Sequence, residues 1–323
     1  MSERATMKVV IAGVLGLVGA FSIPQDQTIQ KAEQLTRFTL VEYHMGIDAR
    51  LVVYASSQEV ANRACEAAFR RIADLEQSMS DYRQTSELMQ FCSKPRGTRV
   101  KLSPDLFKVL ERSQHISKQT GGRFDCTVGP LVQLWRKARK SKVLPTTEEI
   151  LAAKRLVSYR FLHLDKRNQT AWLDRDGMKL DLGGIAKGYA SDEALRSLQG
   201  NGVKIALIEM GGDLVLGDAP PKTEGWSVEI PNAGKTMTLR NCAISSSGDT
   251  EQFVEINGKR YSHVVDTRSG YGLSERVQAT IIARDGFITD PLSTALTLLN
   301  EKGRDKLNRA YPGTQVFIKV ARD

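Results

Sequence analysis

The sequence predicts an α+β fold: one body of mixed antiparallel sheets with helices flanking them. Three observations lead there. Runs of period two and runs of period 3.6 are mixed along the chain, without the strict alternation that βαβ units impose. Hairpin punctuation is strong, above all Asn257-Gly258 between two alternating runs. Helix starts are marked by side-chain caps: Ser56 with Glu59 and Thr146 with Glu149 have capping-box spacing, and Ser103-Pro104 reads as N-cap and first helical position. The 323 residues hold no repeat and no low-complexity segment, so the folded part reads as a single unit.

Residues 1–24 read as an export signal. Arg4 and Lys8 precede an apolar run at 9–21, and small residues at 20–22 give cleavage spacing. The run is too short for a bilayer anchor. No Cys lies near its end, so a lipid anchor is not indicated, and an exported, periplasmic or extracytoplasmic protein is expected. A buried N-terminal helix is the competing reading. Residues 25–36 form a polar linker, and the domain runs over 37–323.

Within the domain, 37–43 alternates as a strand, His44-Met45-Gly46 turns, and 50–54 is a second strand. A helix opened by Ser56 carries the stripe Val60, Ala64, Ala68, Ile72, Leu75 and Met79. After the loop at 80–83 a short helix starts near Ser86, and the helix begun at Ser103 ends at Gly121-Gly122. Thr146 opens another helix, 159–164 is a strand, and 174–177 is a hairpin turn into an alternating strand at 178–182. Ala186, Ala190, Ala194, Leu195 and Leu198 share a helical face that Gly200 and Gly202 terminate. Strands follow at 203–208, 226–230 and 236–239; 243–249 reads as a hydroxyl-rich turn, and the Asn257-Gly258 hairpin joins 252–256 to 259–265. The strand 277–283, a helix opened by Asp290-Pro291 and running to Leu299, a small helix and the strand 315–320 complete the domain.

Composition narrows the function classes. Apolar residues at 41% and charged residues at 26% are ordinary for a soluble protein. The balance of 46 basic against 37 acidic residues gives +9, but the basic residues are scattered apart from the run at 136–140, which reads as a solvated face. That run lacks the interleaved aromatics of single-strand binders, so no nucleic-acid partner is expected. Cys65, Cys92, Cys126 and Cys242 show neither CxxC nor zinc-ligand spacing, and the sequence leaves their pairing open.

The most informative stretch is 181–190, DLGGIAKGYA: a carboxylate ends a strand, two glycines turn, and a helix starts with free N–H groups facing outward. Such a start attracts phosphate, and glycines let a diphosphate approach the backbone. A turn that needs glycine for packing explains it equally well. Asp290 and Thr294 stand one helical turn apart on one face and so suit a hard cation such as Mg²⁺; a routine helix start is the competing explanation. His263, at a hairpin exit beside Asp266, has the pKa range of a general base, although a lone strand histidine is more often structural. His44, His115 and His163 show no metal spacing. Asp125 and Asp181 are either solvated turn residues or acceptors for a ring or ribose.

The runs GGRFDCTVGPLVQLW (121–135), LDLGGIAKGYASD, EMGGD, ISSSGD, YSHVVDTRSG and TDPLSTAL, in that order, resemble the ApbE-type FAD:protein FMN transferase family. HMG at 44–46 and MSDYR at 79–83 are similar to the family's first motifs. The resemblance implies a T-fold-related body with an FAD cleft between two lobes. It also implies Mg²⁺-dependent transfer of FMN from FAD to a Ser or Thr hydroxyl of an acceptor flavoprotein, with release of AMP. Carried over by motif, Asp290, Thr294, Ser293 and the backbone of Gly184 and Ala186 would hold the metal. Met45, Tyr82, Arg123, Phe124, Asp125, Asp181, Lys187 and Val264 would line the FAD site. His263 with Asp266 would take the acceptor's proton. His44 and Ile47, Thr267 and Ser269, and Pro291 and Ser293 depart from the commoner family residues; Ser293 stands where some members place another acidic ligand. Two other functions fit the residues: a Mg²⁺-dependent FAD diphosphatase yielding FMN and AMP, and a flavin-binding protein without turnover.

Overall fold

The computed structural model describes residues 34–230, 232–248 and 253–320; the expected export signal, nearly all of the linker, and Asp249 lie outside the described residues. Strands β1 (Thr36–His44) and β2 (Ile47–Ala55) form a hairpin whose turn residues, Met45 and Gly46, both have positive φ (51° and 80°). A two-residue turn of that hand matches the strand twist. Helix α1 (Gln58–Met79) is capped by Ser57, whose Oγ accepts from the Val60 amide, one residue later than Ser56 had suggested. Then come α2 (Glu87–Cys92), β3 (Val100–Lys101) and α3 (Pro104–Gln119), with Ser86 and Ser103 as the helix caps. Next are α4 (Gly129–Ser141), α5 (Thr147–Lys154) behind a complete Thr146–Glu149 capping box, β4 (Leu162–Asp165) and β5 (Thr170–Leu173).

The second half contributes α6 (Ala186–Gly200), β6 (Ala206–Met210), β7 (Asp213–Leu216), β8 (Trp226–Ile230), β9 (Lys235–Leu239) and β10 (Cys242–Ser247). It ends with β11 (Phe253–Ile256), β12 (Lys259–Ser262), β13 (Val277–Ala283), α7 (Gly286–Leu298), α8 (Glu301–Ala310) and β14 (Gln315–Val320). Seven strands form one antiparallel sheet in the order β1-β2-β6-β7-β10-β13-β14. One face buries Leu51, Val53, Ile208 and Ile281 with the apolar stripes of α1, α6 and α7. The other buries Val52, Leu216, Ile244 and Ile282 under the β8–β9 hairpin, together with Trp226, Val228 and Ile230. A separate core of Leu131, Trp135, Ile150, Val254 and Tyr261 joins α4, α5 and the β11–β12 hairpin into a second lobe. Among the described residues no helix is long and apolar enough to cross a membrane.

Four expectations are corrected. The alternation at 178–182 is real, with Met178, Leu180 and Leu182 buried, but the segment joins no sheet: side-chain burial and a bond from the Asp181 amide to the Cys126 carbonyl (2.8 Å) hold it extended. Of the hydroxyl-rich run, residues 243–247 enter the sheet as part of β10, because their hydroxyls find partners inside: Ser245 Oγ with Thr289 Oγ1 (2.7 Å) and Ser246 Oγ with Thr280 Oγ1 (2.8 Å). Strand β12 stops at Ser262, and 263–266 forms a loop with an isolated bridge from Val265 to Gly272.

The fourth correction bears on the site. Helix α7 does not open at Asp290-Pro291 but at Gly286, and Pro291 lies inside it. The reason is the buried Asp192 carboxylate of α6, which accepts the Gly286 and Phe287 amides at 2.7 and 2.9 Å. Each such charge-assisted bond contributes on the order of 1.5–3 kcal/mol. These bonds fix the start of the helix at Gly286, ahead of Pro291, although a proline costs roughly 3 kcal/mol inside a helix.

Candidate active site

Helices α6 and α7 touch glycine to glycine. A Cβ on Gly188 would lie 2.1 Å from the Gly286 carbonyl oxygen and 2.7 Å from the Asp290 Cβ. That closeness lets the Gly188 amide donate to Asp290 Oδ2 at 2.9 Å. Helix α6 has no side-chain cap of its own at Ile185, so Asp290 supplies the anion that the positive helix end favours. The Ala186 amide is taken by the Leu182 carbonyl at 2.8 Å. Two of the amides that the sequence left free for a diphosphate are therefore engaged within the protein.

Lys187 extends from the same turn, its Nζ 2.7 Å from Asp213 Oδ2 and 3.5 Å from Asp290 Oδ1. Asp213 and Asp290 are only 4% and 2% exposed. Burial pushes the Asp290 carboxyl up to about 6, against the pull of Lys187. Burial works against the Lys187 ammonium too, yet the two carboxylates hold its pKa above the ordinary range. Asp213 owes its place to the Gly211-Gly212 turn between β6 and β7, both at positive φ (60° and 85°), and its Oδ1 accepts the Ser246 amide at 3.2 Å.

One turn along α7, Thr294 Oγ1 lies 3.2 Å from Ser247 Oγ at the end of β10. Ser293 Oγ lies 2.8 Å from the same hydroxyl and donates to the Asp290 carbonyl at 2.8 Å. Gly184 closes this pocket: a Cβ there would come within 3.1 Å of Thr294 Oγ1 and 3.4 Å of Phe124 Cε2. Gly184, Phe124, Lys187, Asp290, Ser293 and Thr294 are thus gathered at one place. Among the described residues no three His, Cys, Asp or Glu side chains form a metal cage. One carboxylate, three hydroxyls and a bare glycine backbone nevertheless match a hard, oxygen-seeking cation that keeps several waters.

A second cluster lies around Asp181. Its Oδ1 accepts the Gly183 amide at 2.8 Å and its Oδ2 accepts from Arg136 Nη2 at 3.1 Å. Arg136 also donates through Nη1 to Asp81, and its guanidinium sits 4.0 Å from the centroid of the Tyr82 ring. Burial raises the Asp181 carboxyl above its usual range, Asp81 adds to this, and Arg136 opposes it. Arg136 is thus half-buried in the site; the solvated face expected of the 136–140 run begins only at Lys137. Met45 sits at the β1–β2 turn, half-buried against the main core, at the same end of the sheet as the Gly211-Gly212 turn.

The third cluster ties the histidine loop to the segment before α4. Arg123 Nη1 donates to Asp266 Oδ1 at 2.9 Å, and Thr267 Oγ1 to the Gly122 carbonyl at 2.7 Å. Asp266 further accepts the Arg268 and Ser269 amides, so its carboxylate shapes the loop that carries half-buried His263 and Val264. Asp125 is fully occupied: Oδ1 accepts the Thr127 amide and hydroxyl (2.9 and 2.7 Å), and Oδ2 the Tyr159 amide (2.6 Å). Burial raises its carboxyl, with those bonds opposing. A hollow of about 620 Å³ opens between this loop and the corner from α7 to α8, lined by Arg123, Asp266, Tyr261, Tyr271, Thr297 and Arg304. Another, of about 690 Å³ beside β8 and β9, holds none of the site residues.

Residues 45–318 match the model of the ApbE family. The chain belongs to the ApbE family. It is 28% identical over 310 residues to an FAD:protein FMN transferase of Haemophilus influenzae, covering 91% of this chain and 88% of that protein. A Klebsiella pneumoniae protein of the same name is 29% identical over 289 residues, covering 86% and 88%. Among solved structures, the flavin transferase ApbE from Vibrio cholerae superposes with a TM-score of 0.78 at 26% identity, over 90% of this chain and 95% of that one. The apo flavinyl transferase ApbE of Pseudomonas stutzeri gives 0.80 at 26% identity, over 90% and 93%. The α+β fold of this chain is the fold of those ApbE structures.

Sequence reasoning gave no role to Asp213, Asp81, Arg136, Asp192 or Ser247. For Asp213 a signal existed, since a Gly-Gly pair after a buried strand marks a two-residue turn that delivers the next residue to the sheet end. For Arg136 none did, because a guanidinium that turns inward looks the same in sequence as one in a charged run.

Proposed function

We propose that the chain is an FAD:protein FMN transferase that moves FMN from FAD to a Ser or Thr hydroxyl of an acceptor protein and releases AMP, with Mg²⁺ at the diphosphate. The observation that carries this reading is the meeting of Asp290, Lys187, Thr294 and Gly184 at one point of a chain whose relatives bear that name. Asp290, Thr294, the Ser293 hydroxyl and the backbone of Gly184 and Ala186 would hold the metal. Bound there, Mg²⁺ would supply positive charge to the diphosphate.

The rest falls to the protein's own residues. Lys187, steered by Asp213, presents an ammonium to the phosphates. Met45, Tyr82, Arg123, Phe124, Asp181 and Val264 hold the nucleotide, and Asp125 acts by fixing the loop that carries Arg123 and Phe124. The acceptor oxygen attacks the phosphorus on the FMN side, and the bond from that phosphorus to the bridging oxygen breaks. AMP leaves with the bridging oxygen, and the hydroxyl proton passes to His263, on the loop that Asp266 shapes. The domain over 37–323 works outside the cytoplasm, delivered by the signal at 1–24.

The test is incubation of the mature protein with FAD, Mg²⁺ and a flavoprotein acceptor. The acceptor gains the mass of one FMN less water, with one AMP released per transfer. No gain, while a competent ApbE enzyme flavinylates the same acceptor, overturns the proposal. A second reading, hydrolysis of FAD to FMN and AMP, draws on Ser293, whose neutral hydroxyl is already bonded to the Asp290 carbonyl and Ser247. AMP formed at full rate without acceptor would favour it.

A further inference from the structure

Arg136 stands out because two of its three contacts, Tyr82 and Asp181, are residues that the proposed function assigns to the flavin nucleotide, and the third, Asp81, is the neighbour of Tyr82. It reaches Asp81 and Asp181 with separate nitrogens and lies 4.0 Å from the centroid of the Tyr82 ring. Asp81 and Tyr82 arrive together because Ser80 Oγ, just after α1, accepts the Tyr82 and Arg83 amides at 3.2 Å each. Asp181 arrives on the extended segment before Gly183 and Gly184. Two chain segments, each carrying a half-buried carboxylate, are thus brought face to face, and Arg136 is the cation between them.

Geometry sorts what each contact does. A planar guanidinium can place two of its nitrogens on two different carboxylates while its flat face covers an aromatic ring; a lysine ammonium cannot do both. Tyr82 is 73% exposed even with Arg136 in place against its ring. A ring so exposed has no packing of its own to fix its plane. Arg136 supplies that fixing through the cation–π contact. Without it, Asp81 and Asp181 also lose the charge that separates them.

We propose that Arg136 is a positioning residue for the nucleotide: it holds Tyr82 as a stacking platform for a planar ring of FAD and keeps Asp181 aimed at the same ligand. It contacts no reacting atom, so its effect falls on FAD binding and not on the transfer step. The proposal rests on the reading of Tyr82 and Asp181 as FAD contacts, and the test separates the two.

The experiment compares Arg136→Ala, Arg136→Lys, Tyr82→Ala, Asp181→Asn and the double variant Arg136→Ala with Tyr82→Ala. Dissociation constants for FAD are measured by equilibrium dialysis with chelator present, KM and kcat by acceptor flavinylation, and folding by thermal unfolding. Arg136→Ala raises both the FAD dissociation constant and KM about tenfold, which corresponds to about 1.4 kcal/mol, and leaves kcat within about threefold. Arg136→Lys recovers part of the loss. The double variant binds FAD no worse than Tyr82→Ala alone, because the arginine acts through the ring. Should Arg136→Ala not fold, Arg136→Lys decides: a raised KM with kcat held supports the proposal and an unchanged KM overturns it. Arg136→Ala binding FAD as the parent does, while Tyr82→Ala loses affinity, overturns the role of Arg136 and leaves the site standing. Parental FAD affinity in both Tyr82→Ala and Asp181→Asn overturns the site reading, and the proposal falls with it.

Discussion

Asp290 Oδ2 accepts the Gly188 amide at 2.9 Å, so one carboxylate caps helix α6 and faces the ammonium of the preceding residue, Lys187. Its two jobs separate on substitution. Asp290→Asn keeps an oxygen for the amide but gives up the charge, and a neutral amide oxygen attracts a divalent cation less strongly than a carboxylate does. The variant should unfold within about 1.5 kcal/mol of the parent, a loss typical of one weakened hydrogen bond. Its Mg²⁺ affinity should fall at least about tenfold, and flavinylation by about 100-fold or more. Calorimetric titration with Mg²⁺ alone and acceptor mass spectrometry check the two halves; parental Mg²⁺ affinity would remove Asp290 from the metal site.

Gly188→Ala tests the crossing itself. The added methyl would meet the Gly286 carbonyl at 2.1 Å, a backbone atom that cannot swing away as a side chain does. Overpacking of this kind costs about 1–3 kcal/mol or more. Denaturant unfolding should show a loss of at least that size, together with weaker Mg²⁺ binding, because separated helices pull Asp290 and Thr294 away from the backbone at Gly184. A variant as stable as its parent would mean that the helices do not meet here.

Asp192 ties stability to pH. Its carboxyl is pushed from an ordinary 3.8 up to about 6, first by burial, with Asp285 adding and the Gly286 and Phe287 amides opposing. The native state therefore holds this proton more tightly than the unfolded chain does. That contribution is fully present below about pH 3.8 and is lost as pH rises through 6, a swing of about 3 kcal/mol for this group alone. Asp290 has the same sign. Unfolding free energies measured with chelator from pH 4 to 7 should carry this downward component, and Asp192→Asn should flatten it. An unchanged pH profile in Asp192→Asn would contradict the assignment.

The hairpins, most caps and the stripe of α1 were legible because each is a local rule satisfied locally. Asn257-Gly258 turns where its residues demand, with φ of 52° and 71°. What was not legible depends on partners distant in sequence. The seryl run of β10 looks like a turn until Thr280, Thr289, Ser293 and Thr294 supply hydroxyls to it. Helix α7 looks as if it begins at Asp290 until Asp192, on another helix, is seen capping Gly286. The site followed the same division. Its motifs were readable in order, while Arg136 and Asp213 gained meaning only when the fold set them beside Asp181 and Lys187.

His263 is the residue whose role chemistry must decide. It rides a loop that Asp266 fixes through Arg123 (2.9 Å) and Thr267 anchors to Gly122 (2.7 Å), two residues before Phe124 beside Gly184. A base acts only when the acceptor proton moves, so its loss should appear in kcat and not in FAD binding. His263→Ala should lower flavinylation by about 100-fold or more, within the range general-base catalysis contributes. Its FAD dissociation constant should stay within about threefold. Asp266→Asn, which loosens the loop and keeps the imidazole, should lose less. If His263→Ala transferred FMN at the parental rate, the proton would have to leave by another route, and the loop would serve only to shape the cleft.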